Sequence, residues 1–321
     1  MAYRLTRRSC LKALGLSAGA LALRPWLASA SEETSPFEST EPLLKKIPAT
    51  GEMIPAIGMG TWITFNIGSD PIARASRLDV LKYFFDAGGG MIDSSPMYGS
   101  AEEVLGDLLS GNGNLSRTEH PGLFAATKVW TSDGHEGPNE LKRSQALWQV
   151  DRFDLLQVHN LLAWEAHLQT LYAMKEAGRV RYVGITTSHG RRHGDMERIM
   201  TKYPLDFVQF TYNAVDRKAE DRLLPLAREK GIAVIANRPF QRGALINRVA
   251  DKPLPDWAAE IGATNWAQVL LTYIVSHPDV TTAIPATSKP NHMVENMLAA
   301  RGPLPDAAFR SRMAADILAR V

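Results

Sequence analysis

The sequence predicts an α/β fold, a (β/α)8 TIM barrel with an N-terminal β-hairpin and an extra C-terminal helix. Eight segments with the composition of buried strands alternate with eight segments of helical spacing. This alternation implies parallel strands joined by helical crossovers, and eight such units suit a closed barrel better than an open sheet. No G-x-G-x-x-G motif follows the first strand, which argues against the dinucleotide-binding open sheet.

Each strand is predicted where a short apolar run is bounded by turn residues, and each helix where apolar residues recur at helical spacing. The hairpin covers Lys45–Ile57, with its turn at Ala49–Glu52. The barrel strands are predicted at Ile57–Trp62, Met91–Asp93, Phe124–Val129, Asp154–His159, Tyr182–Thr187, Phe207–Tyr212, Ala233–Ala236 and Thr282–Pro285. The helices are predicted at Ala73–Ala87, Ala101–Leu109, Asn139–Val150, His167–Ala177, Met196–Tyr203, Glu220–Lys230, Trp266–Val275 and Met293–Ala299, with a last helix at Ala307–Arg320.

Residues 1–30 have the features of a processing segment. The pair Arg7–Arg8 precedes a weakly apolar run, Ala13–Leu23, and Ala28–Ala30 is a small-residue cleavage site. The segment resembles a twin-arginine (Tat) signal peptide, although Cys10 stands where such signals usually carry Phe. That resemblance implies the Tat export machinery as a partner, cleavage after Ala30 and a periplasmic location. A membrane anchor is the alternative, but the apolar run is shorter than the roughly 20 residues that a span needs.

Composition excludes several kinds of partner and chemistry. The chain of 321 residues has a net charge of +2, and because residues 1–30 hold +5, the remainder carries −3. Such a body predicts neither nucleic acid nor an anionic membrane as a partner, and no permanent membrane span. Cys10 is the single cysteine, so the body has no disulfide and no thiol nucleophile. Residues 31–43 are predicted to be a flexible linker and residues 44–321 the barrel domain.

Four polar side chains lie at the carboxyl ends of three neighbouring predicted strands. Asp93 ends the second strand, and Tyr98 follows on the loop after it. Lys128 lies near the end of the third strand, and His159 ends the fourth. Singly, each has an ordinary explanation, such as a helix cap, surface packing or a core histidine. Together they place a carboxylate, a phenol, an ammonium and an imidazole at the end of the barrel where chemistry takes place.

These four groups suit the reduction of a carbonyl. A free tyrosine has a pKa of about 10, and the Lys128 ammonium is expected to lower the pKa of Tyr98. Asp93 supplies the counter-charge that a buried ammonium needs, and His159 can hydrogen-bond a substrate oxygen. Tyr98 would give its proton to the carbonyl oxygen. Because no side chain can deliver hydride, a nicotinamide cofactor is required.

At these residues the chain resembles the aldo-keto reductase family. The resemblance covers nearly everything after residue 43 and is carried by Ile57–Trp62, Ile92–Gly99, Thr127–Trp130 and His159. The catalytic tetrad that it implies, with Tyr98 as the general acid, is Asp93, Tyr98, Lys128 and His159.

The resemblance also implies where the cofactor binds. Thr186 and Thr187 stand where the family commonly has Ser-Asn, and Gln209 matches a contact to the nicotinamide carboxamide. Asn237 replaces the tyrosine that often stacks on the nicotinamide. The whole set of implied cofactor contacts is Gly60, Thr61, Thr186, Thr187, Gln209, Asn237, Arg238, Thr287, Lys289, Glu295 and Asn296.

NADP(H) is the cofactor that the resemblance implies, with NAD(H) as the alternative. Lys289 is the firm cation for the 2′-phosphate and Arg238 a further phosphate contact, while many relatives carry Lys or Arg where Ala286 and His292 stand here. The residues expected to line the pocket of a small-molecule carbonyl substrate are Trp62, Trp130 and Asn160, the last standing where the family usually has Trp.

Two other functions are compatible with the sequence. Thr187 and Asn237 depart from the family pattern, which is compatible with an exported nicotinamide-binding sensor or partner subunit with little turnover. An unrelated barrel enzyme, such as a lyase or hydrolase, would need metal ligands or paired carboxylates at the strand ends. Asp93 is the single carboxylate found there, so no metal is expected.

Overall fold

The structure is a computed structural model that describes residues 41–110 and 122–321, and it confirms the eight-stranded α/β barrel. The predicted leader and most of the predicted linker, residues 1–40, lie outside the described residues. The hairpin strands are β1 (Leu44–Lys46) and β2 (Met53–Pro55). The barrel strands are β3 (Met59–Gly60), β4 (Met91–Asp93), β5 (Phe124–Val129), β6 (Phe153–Val158), β7 (Val180–Thr186), β8 (Phe207–Thr211), β9 (Ala233–Asn237) and β10 (Thr282–Ala283).

Helices follow the barrel strands and cover the outside of the sheet. They are α1 (Pro71–Asp86), α2 (Ala101–Leu109), α3 (Gly137–Trp148), α4 (Trp164–Glu176), α5 (His193–Lys202), α6 (Leu223–Lys230), α7 (Ala244–Val249), α8 (Trp266–Val275), α9 (Pro290–Leu298) and α10 (Ala307–Leu318). Local sequence sets several ends: Asp70 caps α1 by accepting hydrogen bonds from the backbone of Ile72 and Ala73, and Gly231 ends α6 in the left-handed region.

The sheet is parallel throughout and runs in chain order from β3 to β10. A bridge between Ile57 and Ala283 brings its two edges together, and the Gly58 backbone N–H donates to the Ala283 carbonyl over 2.8 Å. A Cβ on Gly58 would lie 2.9 Å from the Met91 carbonyl oxygen, closer than real contacts allow. Glycine is therefore required where the barrel closes.

One apolar cluster fills the barrel interior at the end where the strands begin. Hairpin residues Ile47 and Ile54 join inward-facing strand residues such as Phe124, Leu155 and Phe207, all of them buried. The hairpin therefore plugs the end of the barrel where the strands begin. A second and larger cluster lies between the strands and the helices. With one end plugged by apolar side chains, the polar residues are left for the carboxyl ends of the strands.

The structure differs from the sequence prediction mainly at the first strand and between β9 and α8. Strand β3 holds two residues, because the chain before it pairs through the single bridge at Ile57. Helix α7 and a 3-10 helix at Asp256–Ile261 were not predicted, since each is too short to show helical periodicity. Within the described residues, no helix combines the length and the apolarity needed to cross a membrane.

Candidate active site

A polar layer lies in the barrel at the carboxyl ends of the strands, above the apolar interior. Side chains on a strand alternate between its two faces. Because Phe124 and Ala126 face the interior, Lys128 on the same strand does so as well. By the same alternation Leu155 and Gln157 share the inward face of β6. The period of two thus carries charged and amide groups into the barrel.

Asp93 and Lys128 form a fully buried ion pair at the centre of this layer. The Lys128 Nζ donates to Asp93 Oδ2 over 2.5 Å and to the Ser94 carbonyl over 2.7 Å. Burial acts to lower the pKa of Lys128, but its interactions with Asp93 and Tyr98 outweigh burial and raise that pKa above its ordinary value. Lys128 is therefore an ammonium at neutral pH.

Tyr98 is the last residue of a 3-10 turn, Pro96–Tyr98, that Ser95 caps through the backbone N–H of Met97. The Lys128 Nζ lies 5.2 Å from the centre of the phenol ring. Lys128 acts to lower the pKa of Tyr98, as the sequence predicts, but this pKa is raised overall. Burial raises the pKa of Tyr98 more than the ammonium lowers it, so the phenol keeps its proton at neutral pH.

His159 is buried beside Tyr98, with the two rings edge to face and their centres 5.7 Å apart. Burial, with the charge of Lys128 as a second cause, lowers the pKa of His159 to about 2. The ring is therefore neutral. Its Nδ1 lies 2.8 Å from the Ser95 hydroxyl, and when that hydroxyl donates, the ring proton resides on Nε2. A neutral imidazole in this state is a hydrogen-bond donor to an oxygen atom.

Linked amide side chains hydrogen-bond to Asp93 Oδ1, the carboxylate oxygen that does not accept from Lys128. Gln157 and Gln209 donate to Asp93 Oδ1 over 3.0 and 3.1 Å. The Gln209 side-chain oxygen in turn accepts from Asn237 over 3.3 Å, and Thr211 donates to the Asn237 oxygen over 2.9 Å. Asn237 is thus a buried member of a hydrogen-bond network that ends on the carboxylate.

A cleft of about 1010 Å³ opens above this layer. Most of the residues predicted from the sequence line it, namely Gly60, Thr61, Trp62, Asp93, Tyr98, His159, Asn160, Thr186, Thr187, Gln209, Asn237, Arg238, Thr287, Glu295 and Asn296. Two do not. The Trp130 side chain is 41% exposed outside the cleft, and Lys289 lies exposed in the turn before α9, where its backbone N–H donates to Thr287. Lys128 lies behind Asp93 and is fully buried.

The donor groups of the cleft fit a dinucleotide. Arg238 and Arg242 line it, and neither forms an ion pair with an acid of the described residues. The Arg238 guanidinium donates to His189 Nε2 over 2.8 Å, which leaves its charge uncompensated and available to a diphosphate. Arg242 instead lies over the Trp62 ring, 4.6 Å from its centre. Asn296 is buried against the cleft with no hydrogen bond from its side chain to another described residue. Its amide can therefore pair with a base.

Three contributors were missed by the sequence prediction. Gln157 has the same parity as the inward-facing Leu155 and pairs in register with Lys128, and this alternation was the available signal. Ser95 caps one short 3-10 turn and Arg242 lies within another, Gln241–Gly243, and sequence alone gives no direction for a side chain in such turns. In residues 41–110 and 122–321, no group of three or more His, Cys, Asp or Glu side chains could hold a metal ion.

Comparison with known proteins agrees with this geometry. The family model described as "Aldo/keto reductase family" matches residues 56–316. The methylglyoxal reductase YeaE of Escherichia coli is 26% identical over 260 residues, which cover 78% of this chain and 88% of that protein. An NADH-specific methylglyoxal reductase of the same organism is 25% identical over 255 residues, 67% of this chain and 73% of that protein.

The fold has solved counterparts. The crystal structure of an aldo/keto reductase from Klebsiella pneumoniae in complex with NADP and acetate has a TM-score of 0.66 and 22% identity. It matches 83% of this chain and 93% of its own. At that identity the likeness shows a shared barrel.

Proposed function

This chain belongs to the aldo/keto reductase family of oxidoreductases, and from that membership we propose that it is an NADP(H)-dependent reductase of small aldehydes or ketones. The observation that carries the proposal is the buried Asp93–Lys128 pair with the Tyr98 ring 5.2 Å from the ammonium, at the floor of a cleft with dinucleotide-binding groups. Bound nicotinamide would supply the hydride to the carbonyl carbon.

Tyr98 acts as the proton donor. Its phenol is neutral at the start, since burial raises its pKa. Negative charge develops on the carbonyl oxygen as hydride reaches carbon, and the phenol transfers its proton to that oxygen. The tyrosinate that forms is stabilised by the adjacent Lys128 ammonium, so the lysine acts on the product side of the proton transfer rather than on the resting phenol.

His159 orients the carbonyl. With its pKa lowered to about 2, the imidazole does not compete with Tyr98 as a proton source at neutral pH. Its N–H can hold the carbonyl oxygen in line with the phenol, which fixes the reacting geometry. Asp93 keeps Lys128 charged and in place over 2.5 Å.

NADP(H) is the proposed cofactor. Arg238, Arg242 and Asn296 would hold its diphosphate and base, and the structural relative from Klebsiella pneumoniae was solved with NADP. Lys289 lies outside the cleft, so His292, which lines it, is the nearer candidate for the 2′-phosphate. The two methylglyoxal reductases among the relatives support a small carbonyl compound as substrate.

The test is the turnover of NADPH with a small aldehyde. Purified protein is expected to consume NADPH, followed by absorbance, and Tyr98→Phe is expected to lower kcat by at least about a hundredfold, the usual range for losing a general acid. Tyr83→Phe, on the exposed side of α1, is the matched control and is expected to keep full activity. Tight NADPH binding without turnover of any carbonyl would contradict the proposal and favour a sensor.

We also propose that residues 1–30 direct export through the Tat machinery and that residues 44–321 act as the barrel domain in the periplasm. The support is the paired arginines at Arg7–Arg8 and the cleavage site at Ala28–Ala30. A barrel that folds before export could bind its cofactor before it leaves the cytoplasm.

A further inference from the structure

Gln157 is a fully buried glutamine at the carboxyl end of β6, and it does not line the cleft. Its side-chain nitrogen donates to Asp93 Oδ1 over 3.0 Å. A carboxylate must face a donor, so the amide nitrogen is the end directed at Asp93. Gln157 therefore cannot touch a substrate and reaches the reaction through Asp93.

The other end of the same amide has no partner. The Gln157 Oε1 atom is buried and makes no hydrogen bond within the described part of the chain. A buried carbonyl oxygen without a donor reduces stability, since it has lost water and gained nothing in exchange. Leu155, two residues earlier on the same face, packs in the apolar interior. Packing therefore does not call for an amide at residue 157, and the one interaction that the amide makes with the described residues is its hydrogen bond to the Asp93 carboxylate.

The two oxygens of Asp93 have different partners. Oδ2 accepts from the Lys128 ammonium over 2.5 Å, and Oδ1 accepts from Gln157 and Gln209. Gln209 is satisfied at both ends, because its oxygen accepts from Asn237. The two amide donors, one from β6 and one from β8, hold the orientation of the carboxylate, which leaves Oδ2 directed at Lys128.

We propose that Gln157 is a positioning residue for the reaction, fixing the Asp93 carboxylate so that Lys128 stays beneath Tyr98. This inference rests on the proposed function. A hydrogen bond to a charged group is lost when the amide is removed, and the carboxylate can then rotate away from the ammonium. Substrate and cofactor contacts are left intact because the side chain lies outside the cleft.

The test is Gln157→Met, which keeps the length of the side chain and removes the donor. We expect kcat to fall about tenfold, with KM and the NADPH dissociation constant unchanged, because only the transition state is affected. We also expect the melting temperature to change little, since removing the unpaired oxygen offsets the loss of the hydrogen bond to Asp93. Gln157→Leu is the second variant, and it extends the apolar face of Leu155.

Gln268 offers a matched control. It is also buried, but its oxygen accepts from both the backbone N–H and the hydroxyl of Thr264, just before α8. Gln268→Met is therefore expected to lower the melting temperature and leave kcat unchanged, the reverse of the result at Gln157.

The outcomes separate this inference from the proposed function. No NADPH turnover by the wild type with any carbonyl overturns the proposed function. Normal turnover by the wild type with kcat unchanged in both Gln157 variants overturns the positioning role alone. A fall in melting temperature that accounts for the loss of activity, or a weaker affinity for NADPH, also overturns it, because either result assigns Gln157 to packing or to the cofactor site.

Discussion

Burial acts on Lys128 and His159 with opposite results, although both are cationic when protonated and both lie at the same end of the barrel. Lys128 has a carboxylate oxygen 2.5 Å away, and that partner keeps its pKa high. His159 has the neutral Ser95 hydroxyl and the unfavourable charge of Lys128, and its pKa falls to about 2. The counter-ion, rather than burial itself, decides which group is charged.

The neutral state of His159 makes folding sensitive to acid. Its pKa is about 2 in the folded protein, and the ordinary value for a histidine is 6.5. Between these two pH values, the unfolded chain binds a proton at this residue and the folded protein does not. This contribution to stability is complete above pH 6.5 and is lost as the pH falls toward 2, at up to about 1.4 kcal/mol per pH unit. His159→Asn is therefore expected to flatten the decline in unfolding free energy between pH 6.5 and 4.5, measured by urea denaturation.

The exposed His135 is the control for this measurement. His135→Asn is expected to keep the slope of the wild type. An equal slope in His159→Asn and the wild type would contradict the neutral, buried state of His159.

Several loops at the carboxyl end of the sheet hold residues in the left-handed region. Among the described non-glycine residues with positive φ, six line the cleft, namely Ile63, Asn160, His189, Arg192, Arg238 and Arg242. Such backbone costs about 1–3 kcal/mol per residue and persists where the surrounding structure holds it. Ile63 is the clearest example, because a β-branched side chain is rarely found there. Strain is thus concentrated on the loops that form the cleft.

Helices α2 and α3 approach so closely that Gly106 has no room for a side chain. A Cβ there would lie 1.8 Å from the Leu147 carbonyl oxygen, a backbone atom that cannot turn aside. Gly106→Ala is expected to lower the free energy of unfolding by about 1–3 kcal/mol, since the helices must separate. Thermal or urea denaturation measures the change.

Gly194 in α5 is the matched comparison, because a Cβ there meets nothing within 4 Å. Gly194→Ala is expected to be neutral or stabilising by up to about 1 kcal/mol, since alanine favours a helix. Equal destabilisation by both substitutions would show that contact with Leu147 is not the cause.

The bounds of helices and strands could be predicted from the sequence where the apolar pattern of a segment matches the face that it buries. Helices α2 and α8 and strand β5 were predicted to the residue, since apolar period and turn residues mark both ends. The four polar side chains could be predicted to lie together, because a parallel barrel brings the carboxyl ends of its strands to one face. Their role as a catalytic tetrad is what the family resemblance implies. The prediction that Trp130 and Lys289 line the cleft was wrong. Each lies in a loop or turn whose direction depends on contacts with distant parts of the chain. The net pKa of Tyr98 needed the burial of its phenol, which one sequence does not give.

At the scale of the whole molecule, the described barrel and the predicted leader have separate proposed roles. The tetrad, the cleft and the hairpin all lie within residues 44–321, so the proposed catalysis needs nothing from residues 1–30. The predicted leader has its own sequence features, the Arg7–Arg8 pair and Ala28–Ala30. Its proposed role is therefore in location rather than in chemistry.

Export predicts a specific amino terminus. When the full chain is expressed in a bacterium with a Tat system, the periplasmic protein is expected to begin at Ser31, by mass spectrometry of its first peptide. Replacing both Arg7 and Arg8 with Lys is expected to leave the protein in the cytoplasm with residues 1–30 attached, since the paired arginines are the receptor-read signal. A periplasmic protein that retains those residues, or equal export of the variant, would contradict the proposal.

The hairpin Leu44–Pro55 closes one end of the barrel with Ile47 and Ile54, which restricts access to the other end. Any molecule that binds in the barrel therefore enters and leaves through the cleft at the carboxyl ends of the strands. In the proposed reaction, the cofactor and the carbonyl substrate share this opening. Product must therefore leave by the same opening through which cofactor and substrate entered.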